Sequence, residues 1–225
     1  MYQLHYKQRN CLEAFTLAEV LVVLLVIGII SAFTIPSLIY RYDEKQLNTR
    51  WKKEFNVAVD AVKKLEANKN FIDLTSDATM RNDFKTVMHF LRESTWNSLS
   101  ASTYYYYGGS SAPDPPTWVE ESALMMNGSL WRFNVLSAGC NATVGGTLNN
   151  ICAELTVDVN GTKGPNKYGK DLYFIHIAKV NSNYVVYPYG SNNDGQSCSD
   201  TSNAVATSRG CSTFFLINDP STTPP

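Results

Sequence analysis

Charge is scarce in this chain. Only 17% of its 225 residues are Asp, Glu, Lys or Arg, well under the usual quarter, while 44% are hydrophobic and 12% aromatic. Such a composition excludes a disordered or heavily solvated chain. Histidine is scarcer still, with three residues, and one of them, His5, precedes the first apolar run, so no histidine-based metal triad can be assembled. The five cysteines show no C-x-x-C spacing, which removes zinc-ribbon and thioredoxin-type readings. No G-x-S-x-G, H-E-x-x-H or phosphate-loop motif occurs, and no internal repeat. The sequence therefore reads as non-enzymatic. A net charge of −1 gives no general basicity for nucleic acid, and residues 71–225 carry thirteen acidic against nine basic side chains. No nucleic-acid partner is expected.

The sequence does contain a long apolar run. From Val20 to Ile35 it reads VLVVLLVIGIISAFTI, with Ser31 and Thr34 the only polar residues. Extended to Tyr40 it reaches about twenty residues, the length a helix needs to cross a bilayer core. It is apolar on all sides, whereas a soluble helix shows a stripe. No small-x-small cleavage site follows it, as a secretory signal would require. Glu19 is the one charge between residues 15 and 36. A carboxylate at the edge of a bilayer costs several kcal/mol and normally has a partner or a task.

These residues resemble a known family. The segment AFTLAEVLVVLLVIGIISAFTIP is similar to the N-terminal cleavage and methylation segment of type IV pilins and type II secretion pseudopilins. The resemblance covers some twenty-five residues. It implies a leader over residues 1–14, cut by a prepilin peptidase between Ala14 and Phe15, with methylation of the new Phe15 amine. It implies a membrane-spanning helix segment over residues 15–40 and a pilin-like globular domain over residues 41–225. Glu19 would pair with the Phe15 amine of a neighbouring subunit during assembly, and Pro36 matches the proline of the pattern. Ala14 stands where Gly is commoner, Ala18 replaces a larger aliphatic, and Glu13 lies beside the cut.

The function implied is that of a structural subunit, a prepilin or pseudopilin. Its partners would be copies of itself or related pilins, the peptidase and the inner-membrane assembly machinery. It would sit as a single pass in a bacterial inner membrane, with its C-terminal domain extracytoplasmic, and then enter a periplasmic or cell-surface filament. The alternative is a membrane-anchored extracytoplasmic binding protein, or a minor pilin, that uses only the anchor.

Beyond Pro36, Leu47, Trp51, Phe55, Ala58, Val59, Val62 and Leu65 recur at helical spacing, so one helix is predicted from about Phe15 to Ala67, with an amphipathic second half. A second helix is predicted with Phe84, Val87, Met88 and Leu91 on one face, capped by Asp77 or Thr79. Tyr104–Tyr107 begin a Gly/Ser/Pro-rich loop and are expected to pack on their own domain. Strands follow: a hairpin turning at Asn127–Gly128, then ICAELTVDVNG, DLYFIHIAKV and NYVVYPYG. The fold class is α+β and pilin-like, a long N-terminal helix packed on a C-terminal antiparallel sheet with disulfide-closed loops.

Loss of the leader would remove Cys11 and leave Cys140, Cys152, Cys198 and Cys211. Four cysteines allow three pairings. Cys140–Cys152 with Cys198–Cys211 is favoured, because each pair brackets one polar loop. The rival reading is four free thiols in a cytoplasmic domain. It draws on the Lys and Arg count, which is higher after the apolar run (Arg41, Lys45, Arg50, Lys52, Lys53) than before it (Lys7, Arg9). The stretch VDVNGTKGPNKYGKDLYFI resembles a loop between strands of pilin-like proteins. Asp158, Asn160, Asn166 and Asp171 there offer oxygen ligands to calcium, the one cofactor candidate. The spacing is not that of an EF-hand, and the competing reading is a turn-rich loop bonded to its own backbone.

Overall fold

The computed structural model describes residues 16–69, 72–112, 118–144, 148–190, 198 and 208–218. The leader residues and the Ala14–Phe15 bond lie outside them. The chain divides into two units, Met1–Tyr42 and Asp43–Pro225. Both draw on one helix, α1, Leu17–Lys69.

In the first unit every described residue from Thr16 to Tyr42 is exposed except Ser31, which is half-buried. Leu17 and Phe33 each keep 79% of their surface open. This segment is long and apolar enough to cross a membrane, by length and composition. Pro36 lies inside the helix. Its ring removes a backbone donor. The hydroxyls around it are turned inward: Thr34 Oγ1 donates to the Ile30 carbonyl at 2.9 Å and Ser37 Oγ to that of Thr34 at 2.9 Å.

In the second unit the helix finds a core. Trp51, Ala58, Ala61, Val62 and Leu65 are buried against one face of an antiparallel sheet. The sheet comprises β1 (Phe90–Thr95), β4 (Glu121–Met125), β5 (Leu130–Val135), β7 (Leu148–Asp158), β8 (Leu172–Val180) and β9 (Asn183–Pro188), paired in the order β1-β4-β5-β7-β8-β9. A short strand β6 (Ala142–Val144) pairs with the start of β7, and β2 (Tyr104–Tyr105) forms a separate ribbon with β3 (Ser111–Ala112). Residues alternate between the two faces of a strand. In β7, Ala153, Leu155 and Val157 face the helix, beside Ile177, Ile175 and Tyr173 of β8. Each large side chain so buried stabilises the fold by roughly 1.5–3 kcal/mol. Trp51 stacks on Tyr173 with ring centroids 4.4 Å apart.

The opposite face is covered too. Trp96 and Leu99 of the short helix α3 (Trp96–Leu99), Tyr104, Ala112, Tyr168 and Tyr189 close over Leu130, Leu172 and Phe174. Tyr104, expected to pack on its own domain, is fully buried there, while Tyr105 stays 39% exposed.

The second helix is shorter than its periodicity predicts. Helix α2 covers Asp77–Lys85, and Leu91 belongs to strand β1. Pairing of Phe90–Thr95 with β4 satisfies that segment's backbone groups, which the helical pattern of side chains does not register. Ser76, neither Asp77 nor Thr79, is the N-cap. Its hydroxyl accepts from Thr79 N, and the Thr79 hydroxyl accepts from Ser76 N, a reciprocal capping box. The last helix, α4 (Cys211–Ile217), crosses the buried half of α1. Three α1 side chains bond its carbonyls: Asn48 Nδ2 to Phe215 at 3.0 Å, Trp51 Nε1 to Ser212 at 3.0 Å and Lys52 Nζ to Asn218 at 3.3 Å. Of these, the Phe215 carbonyl is one that the helix end leaves without an intrahelical partner.

Candidate functional site

Glu19 occupies the third position of α1. Its Oε2 accepts from Thr16 N at 2.8 Å and from the Thr16 hydroxyl at 2.9 Å, while Glu19 N donates to Thr16 Oγ1 at 3.2 Å. Thr-Leu-Ala-Glu is thus a capping box. Threonine followed three residues later by Glu, before an apolar run, was a legible signal for it. Both bonds to the carboxylate fall on Oε2, and no described residue bonds Oε1. Pro36 lies more than four turns away on the same helix, so the structure does not bring these two residues together.

The cysteines join within each local pair. Cys140–Cys152 and Cys198–Cys211 are disulfides, with Cα atoms 3.9 and 4.5 Å apart. The first ties the turn between β5 and β6 to β7. The second anchors the start of α4. Gly169, at a φ of +73°, packs against it so closely that a Cβ there would lie 2.6 Å from Cys211 Cβ, which only glycine avoids.

The segment from Asp158, the last residue of β7, to Asp171 gathers all four calcium candidates. Asp171, fully buried, accepts from Asn166 N at 2.6 Å and Lys167 N at 2.5 Å. Asp158, also fully buried, accepts from the Tyr104 hydroxyl at 2.9 Å and from Asn160 N at 3.2 Å. Asn160 Nδ2 donates to the Gly164 carbonyl at 3.0 Å. These are the self-bonded turns of the competing reading. Two amide oxygens, Asn160 Oδ1 and Asn166 Oδ1, are nevertheless buried with no partner among the described residues. Burial pushes both carboxyls up, Asp171 to about 7 and Asp158 well above its usual range, where the nearby Asp171 charge adds to the effect. The donor set is hard oxygen and fits calcium in type. It brings only two carboxylates, and no group of three or more His, Cys, Asp or Glu occurs among the described residues.

Two buried charged groups went unnoticed in the sequence. Glu54 of α1 holds the hairpin tip, accepting from Asn127 Nδ2 at 2.6 Å, Trp131 Nε1 at 3.1 Å and Ser129 Oγ at 3.2 Å. Burial raises its carboxyl, and those three hydrogen bonds offset part of the rise. On the face of the sheet away from α1, Glu154 sits among three basic groups. Arg132 Nη1 lies 3.1 Å away, Arg209 Nη1 3.3 Å and His176 Nε2 3.6 Å. Burial pushes Glu154 up, but Arg209, His176 and Arg132 outweigh it and hold the carboxyl well below the usual range. The Arg132 guanidinium lies 4.0 Å from the centroid of the Trp118 ring, and Arg209 4.5 Å from that of Phe174. This network pins Trp118 and Arg209 onto the sheet. Its members stand far apart in sequence, and no local pattern links them. His176 is fully buried in β8, and His89 is exposed on the surface.

Comparison with protein-family models, with curated proteins and with solved structures gave no match.

Proposed function

We propose that the protein is a membrane-inserted prepilin or pseudopilin, processed at Ala14–Phe15 and assembled through its apolar helix into a pilus-like or secretion filament. The observation that carries this reading is the contrast within α1. Its first half is exposed along its whole length and carries one carboxylate, while its second half is the core of a disulfide-closed α+β unit. Moving the apolar half from lipid into a bundle of copies gains little hydrophobic energy, so packing and charge pairing steer assembly. Glu19 supplies the charge. Its Oε1 is open to an amine while Oε2 caps its own helix. The partner amine, that of Phe15, exists only after the leader is cut, so cleavage gates assembly.

The test separates capping from pairing. Glu19→Ala removes both roles and Thr16→Ala only the cap. The reading expects filaments or complexes to be lost in the first variant and retained in the second, with N-terminal mass spectrometry of membrane-extracted protein giving a chain that starts at Phe15. Equal loss in both variants reduces Glu19 to a helix cap, and a mature chain that still carries Cys11 removes the processing step.

A second reading concerns calcium in the Asp158–Asp171 segment, favoured by the two orphaned amide oxygens beside the buried acid pair. Asp158, Asn160, Asn166 and Asp171 would hold the ion. It would neutralise the carboxylates and tie the loop to β7 and β8. Calorimetric titration of the full-length protein in detergent tests it, with binding expected in the native protein and lost in Asp171→Asn.

A further inference from the structure

Two Asn–Gly steps occur in the Asp43–Pro225 unit, Asn127–Gly128 at the tip of the β4–β5 hairpin and Asn160–Gly161 after β7. An asparagine followed by glycine can close on itself, because the glycine nitrogen reaches the asparagine amide carbon with no side chain in its way. At the hairpin tip that pair stands in the open. Asn127 and Gly128 are exposed, and the space that a Gly128 side chain would fill is empty. The turn needs its glycine all the same, since the Gly128 φ is +87°, in the left-handed region.

Each atom the ring closure uses is tied down in the fold. Gly128 N donates to the Met125 carbonyl at 3.0 Å. Asn127 Oδ1 accepts from Ser129 N at 3.0 Å and lies 2.8 Å from Ser129 Oγ. Asn127 Nδ2 donates to Glu54 Oε1 at 2.6 Å. Of these contacts the last alone leaves the hairpin, and it reaches α1 across 73 residues of sequence. Glu54 itself is buried and fixed by Trp131 and Ser129, while Lys53, beside it on α1, is exposed.

We propose that Asn127 is a site of spontaneous deamidation held in check by Glu54. When the tip opens from α1, the Gly128 nitrogen loses its proton to hydroxide and bonds to Asn127 Cγ. The Cγ–Nδ2 bond breaks, and the amide nitrogen takes a proton from water and leaves as ammonia. A water molecule then opens the five-membered imide at either carbonyl. One opening gives aspartate, the other isoaspartate, in which the main chain runs through Cγ. Neither product keeps the Nδ2 donor. Each would instead turn a carboxylate toward Glu54, and two like charges in a buried setting repel and lack a hydrogen between them. The tip cannot return to its contact, so the modification is a one-way step. It depends on the contacts of the hairpin tip with α1 and is independent of the filament reading.

The test is peptide-mapping mass spectrometry of the full-length protein incubated in detergent at pH 8, which reads the mass gain of deamidation at each asparagine. Wild-type protein in guanidinium gives the unrestrained rate. Glu54→Ala is expected to speed deamidation at Asn127 at least about tenfold, the weight of a hydrogen bond to a charged group. Asn160 serves as the reference, because its Nδ2 is held by the Gly164 carbonyl at 3.0 Å and not by Glu54, and it is expected to keep its wild-type rate. Equal rates at Asn127 in native and unfolded wild type overturn the proposal, as does an unchanged rate in Glu54→Ala. Equal acceleration at Asn127 and Asn160 assigns the restraint to the whole fold and overturns the role of Glu54. The consequence is read separately from Asn127→Asp, whose thermal midpoint at pH 8 is expected roughly 5 °C below that of the wild type. An unchanged midpoint shows that the product docks again and overturns the one-way step.

Discussion

The two halves of α1 share a backbone conformation and little else. Between Leu17 and Tyr42 the side chains are mostly apolar and, apart from half-buried Ser31, exposed; between Asp43 and Asn68 they alternate between a buried stripe and charged exposed positions. The first half carries its own helical hydrogen bonds, save the one that Pro36 has no N–H to donate, and Thr16 with Glu19 closes the open end. The second half is fixed by tertiary contacts: Trp51 on Tyr173, Glu54 on the hairpin tip, and Asn48, Trp51 and Lys52 on α4. Helix formation and burial are therefore separate decisions along one element. The surroundings that suit each half, lipid for one and a sheet for the other, follow from where the apolar residues lie around the helix axis.

The sharpest way to break the comparison is to make equivalent truncations in the two halves. Trp51→Ala removes a fully buried ring and the hydrogen bond to Ser212. It is expected to cost the folded unit about 3–5 kcal/mol. Leu24→Ala, in the exposed half, is expected to leave the denaturation midpoint of that unit unchanged. Chemical denaturation of both variants in detergent, followed by tryptophan fluorescence, checks this. Next in size is the disulfide that holds α4 against the buried half. Replacing Cys198 and Cys211 by Ser should cost on the order of 3 kcal/mol, the chain-entropy value for closing a loop of this size, as read by the same denaturation.

Titration sharpens the contrast, since the perturbed carboxyls outside the apolar half all belong to the sheet-bearing unit. Burial raises Asp171 to about 7 from the ordinary 3.8, so the folded chain holds that proton more tightly than the unfolded one. The stability it lends is present below about pH 4 and lost as pH climbs to 7. Glu54 and Asp158, also raised by burial, act in the same direction. Glu154 and Glu120 are lowered despite burial, by their basic neighbours, and weaken the fold only as pH falls below their unfolded values near 4.5. The thermal midpoint is thus expected to be higher at pH 5.5 than at pH 8 in chelator. Calcium, if it binds the ionised pair, should raise the midpoint at pH 8 and close the gap; a flat profile in chelator would contradict the burial argument. The smallest effect lies at the start of α1. Thr16→Ala should loosen the first turn by about 1 kcal/mol, seen as faster amide exchange there, with no change in the unit's thermal midpoint.

Much of this architecture was legible in the sequence. The apolar run, the amphipathic stripe from Leu47 to Leu65, the Asn127–Gly128 hairpin and strands β7 to β9 are local patterns with periods of 3.6 or 2, and they lie where those patterns place them. The Thr16–Glu19 capping box is equally local, a threonine followed three residues later by Glu. The end of α2 departs from the predicted stripe because Leu91 continues the spacing of Phe84, Val87 and Met88, while the pairing partner that draws its segment into β1 lies more than thirty residues later.

Sequence alone determined an exposed apolar helix with one carboxylate, an α+β unit behind it and cysteines spaced to close two polar loops. Composition and short-range periodicity carry those features, because each depends on residues within a few turns of one another. Tertiary structure decided that both faces of the sheet are covered, and that Glu154 is held by Arg132, Arg209 and His176. It also decided that Asp158 and Asp171, at the two ends of the connection between β7 and β8, are both buried, and that Lys170 reaches back to Glu44. A charge is costly in a protein interior and is tolerated only where partners converge on it. Which partners those are depends on chain segments meeting in space across tens of residues, and no local pattern records that meeting.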